Sequence, residues 1–121
     1  MELNLSYGER FRVSTREGVS VVQPAGELDL SSVDRLRECC RAAVEASGPH
    51  LVIDLSETSF LDSSALGVFV GVATQLGADG GWLRFAGAQH PAVRKVLDIT
   101  QVGTSLGNYS TVEDALTGEN G

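Results

Sequence analysis

Leu51-Val52-Ile53-Asp54-Leu55, followed after a short loop by Asp62-Ser63-Ser64-Ala65-Leu66-Gly67-Val68-Phe69-Val70-Gly71-Val72-Ala73-Thr74-Gln75-Leu76, is the stretch that decides the fold. The first run is brief, almost unbroken in its apolar character and bounded by turn formers, the pattern of a strand covered on both faces. It is therefore expected at the centre of a sheet. The second run repeats at helical spacing: at about 100° per residue, Leu66, Phe69, Val70, Ala73 and Leu76 share one broad face. Gly77 and the Asp79-Gly80-Gly81 turn close that helix.

Outward from this pair the alternation continues. Upstream, Glu9 to Thr15 and Val19 to Ala25 read as strands joined by Arg16-Glu17-Gly18, whose glycine can take the positive φ of a tight hairpin. After Gly26-Glu27-Leu28-Asp29, a loop in this reading, Val33, Leu36, Cys40, Ala43 and Val44 recur at helical spacing, with Ser31 or Ser32 as N-cap and Gly48-Pro49 as the stop. Downstream, Trp82 to Ala86 is a strand, Pro91 opens a helix through Leu97, and a weaker strand is expected near Val102 to Leu106. Ser110-Thr111-Val112-Glu113 then opens a last helix to about Leu116. The sum is one α/β domain over residues 1–117, a mixed sheet opened by a hairpin and packed with about four helices, with residues 118–121 as a frayed tail.

The 121 residues carry nine Lys+Arg against sixteen Asp+Glu, a formal charge of −7. That sign opposes a nucleic-acid or polybasic membrane role, and Arg35, Arg37 and Arg41 sit among acids on a solvated helix face. No basic-then-apolar leader opens the sequence and no apolar run approaches a membrane span, so a cytoplasmic location is expected. Cys39 and Cys40 are adjacent and read as reduced, with Cys40 facing inward.

Chemistry-bearing constellations are missing. Ser64 lacks a G-x-S-x-G setting, His50 and His90 lie at element edges, and neither metal-ligand spacing nor a Walker lysine is present. No enzyme activity, metal or cofactor is expected.

What stands out is the outer face of the 62–76 helix. Ser64, Gly67, Val68, Gly71, Val72 and Gln75 occupy positions where a surface helix normally carries Lys or Glu. Either the helix is buried all round, or it offers a flat small-residue surface with exposed valines to another protein, with Ser64 at its N-terminal end. An added phosphate at that end meets a favourable helix dipole, and a partner fitted to a neutral hydroxyl would have to desolvate a dianion beside Asp62. On this reading Val68→Glu or Val72→Glu impairs docking more than folding.

Gly26-Glu27-Leu28-Asp29, the 51–55 run, Asp62-Ser63-Ser64-Ala65-Leu66-Gly67 and His90-Pro91-Ala92-Val93-Arg94-Lys95-Val96-Leu97, in this order and spacing, resemble the STAS domain of bacterial anti-sigma factor antagonists. The resemblance spans nearly the whole chain. It implies a partner switch: the unphosphorylated protein binds an anti-sigma factor serine kinase of the GHKL type and frees the sigma factor. Phosphorylation reverses this, and a PPM-type serine phosphatase restores the first state. The family's D-S-S motif falls on Asp62, Ser63 and Ser64, which implies Ser64 as acceptor, Ser63 as second choice and possible N-cap, and Glu27 and Asp29 as kinase contacts. Ala65 departs from the glycine common there. The competing expectation within the same fold is a non-switching STAS subunit of a stress-signalling scaffold, or a ligand-sensing module.

Overall fold

The computed structural model describes residues 5–6, 11–102 and 106–118. Along the chain run β1 (Leu5–Ser6), β2 (Phe11–Arg16), β3 (Val19–Pro24), β4 (Gly26–Leu28), a 3₁₀ turn (Leu30–Ser32), α1 (Val33–Ser47), β5 (His50–Asp54), β6 (Thr58–Leu61) and α2 (Ser63–Ala78). Then come β7 (Trp82–Ala86), α3 (Pro91–Thr100), β8 (Asn108–Tyr109) and α4 (Val112–Thr117). The main sheet has the order β1-β2-β3-β5-β7-β8. β1, β2 and β3 pair antiparallel, and β3, β5, β7 and β8 pair parallel.

The hairpin forms as its residues demand. Arg16 pairs with Val19 across a two-residue turn in which Glu17 and Gly18 take φ of 53° and 80°, the left-handed pair whose twist matches the flanking strands. β5 is the covered central strand. Leu51 and Ile53 point into the core beneath the helices, Val52 points to the opposite face, and all three are 0% exposed. On the helix side Leu36, Cys40, Ala43, Phe69, Leu76, Val93 and Leu97 pack on Leu51, Ile53, Leu83 and Phe85. The other face is covered by α4, where Ala115 meets Val21, Val52 and Ala86. Arg84 ties this layer down: its guanidinium lies 3.7 Å over the Trp82 ring and donates to the Ala115 carbonyl at 3.0 Å.

Several expectations are revised. Gly26–Leu28 is a strand rather than a loop, and it pairs in parallel with β6, a strand inside what reads as the 56–61 loop. The two form a separate small sheet, secured where the buried Thr58 hydroxyl donates to the Pro24 carbonyl at 2.9 Å. Ser32 does occupy the N-cap position of α1, but its hydroxyl accepts from the Asp29 N–H at 3.3 Å instead of from the helix, and Ser63 is the first residue of α2 and not its cap. The side-chain caps come from Asp29 at the 3₁₀ turn and Asp62 at α2, since a carboxylate accepts from backbone N–H groups more strongly than a hydroxyl does. Gly77 lies inside α2, and α3 runs on to Thr100. Val102 and Leu106 are helical, so the last strand is β8 instead; residues 103–105 and 119–121 lie outside the described residues. Gly118 is the C-cap of α4 at φ 76°, its N–H donating to the Asp114 carbonyl.

Cys39 and Cys40 are free thiols, both 0% exposed. Burial pushes each thiol up to about 12, with the neighbouring Glu38 adding to the effect on Cys39 and Cys39 to that on Cys40.

Candidate functional site

The N-terminus of α2 is built by two strands meeting a cap. In the small sheet Leu28 pairs with Leu61, and the Asp62 N–H donates to the Leu28 carbonyl at 3.1 Å. The Gly26–Asp29 segment is thereby fixed beside Asp62. Asp62 is extended, with φ −102° and ψ 179°, and its Oδ1 accepts from the N–H groups of Ser64 at 2.9 Å and Ala65 at 3.1 Å. Asp29 repeats the device one strand away, accepting from the Ser31 N–H at 3.0 Å. Both carboxylates are half-buried and committed to backbone donors.

Ser63 and Ser64 are consequently spare. Ser63 is exposed, Ser64 is half-buried, and neither hydroxyl has a hydrogen-bond partner among the described residues. The first-turn donors that an anion at Ser64 would seek are partly occupied by Asp62. A phosphate there meets the helix dipole together with a carboxylate at close range.

The sequence-based site residues divide when placed in space. Glu27, exposed on β4, and Asp29, Asp62, Ser63 and Ser64 cluster around the small sheet and the start of α2. Gly67 and Gly71 are exposed further along α2 and, with Val68, Val72, Gln75 and Arg37 of α1, line a groove of about 190 Å³. An added Cβ at Gly67 or Gly71 would meet nothing within 4 Å. Neither glycine is required by packing inside the molecule.

Val68 is the correction. It was expected on the exposed face but is only 5% exposed, and Val72 is half-buried against the core. Val70, expected in the core, is 41% exposed. The buried arc of α2 is rotated toward α1, because the helix is covered on two sides, by the sheet and by α1. A helical wheel drawn for one covering surface misplaces both valines. Leu30 at 75% exposed and Phe60 at 41% exposed, the latter paired with Glu27, add apolar surface near Asp29 and β6. Sequence reasoning passed over them because β6 went unrecognised. The four residues show no clean period of two, with Thr58 and Leu61 buried and Phe60 exposed, so no local signal marked them as a strand.

Among the described residues no group of three His, Cys, Asp or Glu side chains could hold a metal ion, and no helix is long and apolar enough to cross a membrane.

Residues 10–115 match the family model described as the STAS domain. The anti-sigma-F factor antagonist RsfB of Mycobacterium tuberculosis is 30% identical over 110 residues, which are 90% of this chain and 88% of that protein. The crystal structure of an anti-sigma factor antagonist from Mycobacterium paratuberculosis superposes with a TM-score of 0.78 at 33% identity, covering 98% of this chain and 93% of that one. The anti-sigma factor antagonist SpoIIAA in its unphosphorylated form gives a TM-score of 0.73 at 26% identity over 88% and 92% of the two chains. The same protein, described as a Bacillus cell fate determinant, also matches in its phosphorylated form, with a TM-score of 0.66. The chain thus belongs to the STAS domain family, alongside anti-sigma factor antagonists.

Proposed function

We propose that this protein is an anti-sigma factor antagonist switched by phosphorylation of Ser64. In the unphosphorylated state its α2 N-terminus and the adjoining Gly26–Leu28 strand bind an anti-sigma factor serine kinase, and the sigma factor is released. Phosphorylation of Ser64 ejects the antagonist, and a serine phosphatase returns it to the binding state. The mechanism is non-catalytic on this side of the complex. The observation that carries the reading is the spare Ser64 hydroxyl: Asp62 does the capping, so modifying Ser64 costs the helix no hydrogen bond.

The switch is electrostatic. A phosphate adds roughly −1.5 to −2 charge close to Asp62, in a surface whose neighbours are Glu27 and Asp29. A partner covering that surface must desolvate the whole group, a cost of a few kcal/mol that lowers affinity by two to three orders of magnitude. Incubation with the cognate kinase and ATP, followed by mass spectrometric mapping, should place one phosphate on Ser64. Absence of phosphate from both Ser64 and Ser63 would overturn the switch. Ser64→Asp should weaken kinase binding about 100-fold or more while shifting stability by less than about 1 kcal/mol, since dipole attraction and Asp62 repulsion oppose each other. A cooperative loss of folding in that variant would instead make Ser64 a structural residue.

A further inference from the structure

The segment His90 to Leu97 is only partly explained by folding. Pro91 starts α3, His90 caps it by accepting from the Ala92 N–H at 3.2 Å, and Val93 and Leu97 are buried in the core. Arg94 has no such employment. It is exposed and has neither an ion pair nor a side-chain hydrogen bond among the described residues. Asp98, at the i+4 position where a helical arginine ordinarily finds its partner, does not receive it.

Arg94 instead borders a cavity of about 340 Å³ whose wall also includes Gly87, Gln89, Asn108, Tyr109 and Ser110. The cavity lies beyond the carboxyl ends of the parallel strands β7 and β8, the end of an α/β sheet where small ligands bind. Its floor is firm: the Gly87 N–H donates to the Tyr109 carbonyl at 2.9 Å, joining the two strand ends. The volume is at the low end of the range of small-molecule sites, and the wall is mainly polar and open to solvent on one side, which suits a small hydrated anion better than an apolar ligand. Asp54 stands close behind Gly87. Its carboxylate is turned toward the Gln23 amide at 3.0 Å and the Ser56 N–H at 3.0 Å, and Arg94 is the one charged side chain in the described wall itself. The remaining polar groups, Gln89, Asn108 and Ser110, can donate hydrogen bonds to oxygen.

We propose that this cavity is a binding site for a small molecule bearing a phosphate or carboxylate group, anchored by the forked donors of Arg94. The proposal is independent of the role of Ser64.

The test is an amide-resolved NMR titration of the full chain with inorganic phosphate and, separately, with succinate, at ionic strength held constant with sodium chloride. Saturable shifts confined to Gly87, Gln89, Asn108 and Ser110 are expected, with Arg94→Gln lowering the apparent affinity about tenfold or more and Arg37→Gln leaving it unchanged. The two anions separate phosphate from carboxylate preference. Shifts that persist in Arg94→Gln, that spread equally to the other arginines, or that fail to appear with either anion overturn the proposal, the first two marking an adventitious ion only. Arg94 is exposed, and the dispersion of the variant's own spectrum reports that it is folded.

Discussion

Helices α1 and α2 lie side by side on the same sheet, yet they face water differently. The outer side of α1 carries Asp34, Arg35, Arg37, Glu38, Arg41 and Glu45, with weak pairs such as Arg41 to Glu45 at 3.0 Å. Its neighbour presents Ser63, Gly67, Val70, Gly71, Thr74 and Ala78, with no charged side chain between Asp62 and Asp79. Both helices bury an adequate inner face, so folding does not require this difference. Charges on α1 suit permanent exposure, whereas a bare backbone with scattered methyl groups suits a surface that another protein covers in turn.

The comparison breaks most visibly at the seam between the helices. Val68→Glu places a carboxylate at a 5% exposed site packed in the core. Without a partner for the charge, a loss of about 3 kcal/mol or more is expected, seen as a large fall in melting temperature or loss of the folded state. The same change at Val70, 41% exposed on the open face, should cost less than about 1 kcal/mol and act on partner binding instead. Equal destabilisation at the two positions would mean that α2 has no open face.

How much of this was legible beforehand follows the same division. The hairpin, the central strand, the α/β alternation and the start of α2 were readable because each has a local cause: a left-handed turn, a continuous apolar run, an apolar periodicity that begins after Asp62-Ser63-Ser64. The small sheet was not. β4 and β6 are three and four residues long, and what makes them strands is their mutual pairing across more than thirty intervening positions. The exposure of Val70 and burial of Val68 depend on where α1 lands, a tertiary fact that periodicity within one helix does not contain. The cluster of Glu27, Asp29, Asp62 and Ser64 came from the order of motifs, and its physical basis, the Asp62 to Leu28 hydrogen bond, came only with the fold.

The inner side of α1 supplies the next test. Cys39 and Cys40 are held up at about 12, from an ordinary value near 9.0, mainly by burial. Below pH 9 the thiols are neutral in both folded and unfolded chains, so their burial is fully compatible with the fold. Above it the unfolded chain releases protons that the folded chain retains, and stability falls as pH rises from 9 toward 12. Denaturant midpoints should therefore decline over that window, and the Cys39→Ala/Cys40→Ala double variant, though less stable at neutral pH, should decline less steeply. Thiol reagents at pH 8 should react only through opened molecules, far more slowly than with an exposed thiol and faster as denaturant is added.

On the open face the glycines allow stability and docking to be separated. Gly67→Ala and Gly71→Ala meet nothing within 4 Å and replace the poorest ordinary helix former with the best, so each should stabilise by about 0.5–1 kcal/mol. Melting temperature should rise by several degrees in the double variant, while affinity for the anti-sigma factor proposed as partner falls because a methyl group now stands where the partner's atoms approach. A rise in stability with unchanged affinity would remove Gly67 and Gly71 from the docking surface and leave it to the Ser64 end.

The smallest effect belongs to the charged face of α1. Glu45 accepts from Arg41 at 3.0 Å in an i,i+4 pair whose side chains are 61% and 68% exposed, a setting in which such pairs contribute about 0.3–0.5 kcal/mol. Two details reduce even that. The basic residue precedes the acidic one, the weaker orientation in a helix, and Glu45 lies in the last turn of α1, where the dipole disfavours negative charge. Glu45→Ala loses the pair, relieves the dipole repulsion and gains helix propensity, terms of similar size and mixed sign. Its melting temperature should stay within about 2 °C of the parent, and affinity for the proposed anti-sigma factor partner should not change. A tenfold loss of affinity in Glu45→Ala would show that the partner straddles both helices, and the division between a face made for water and a face made for a partner would then have to be drawn elsewhere.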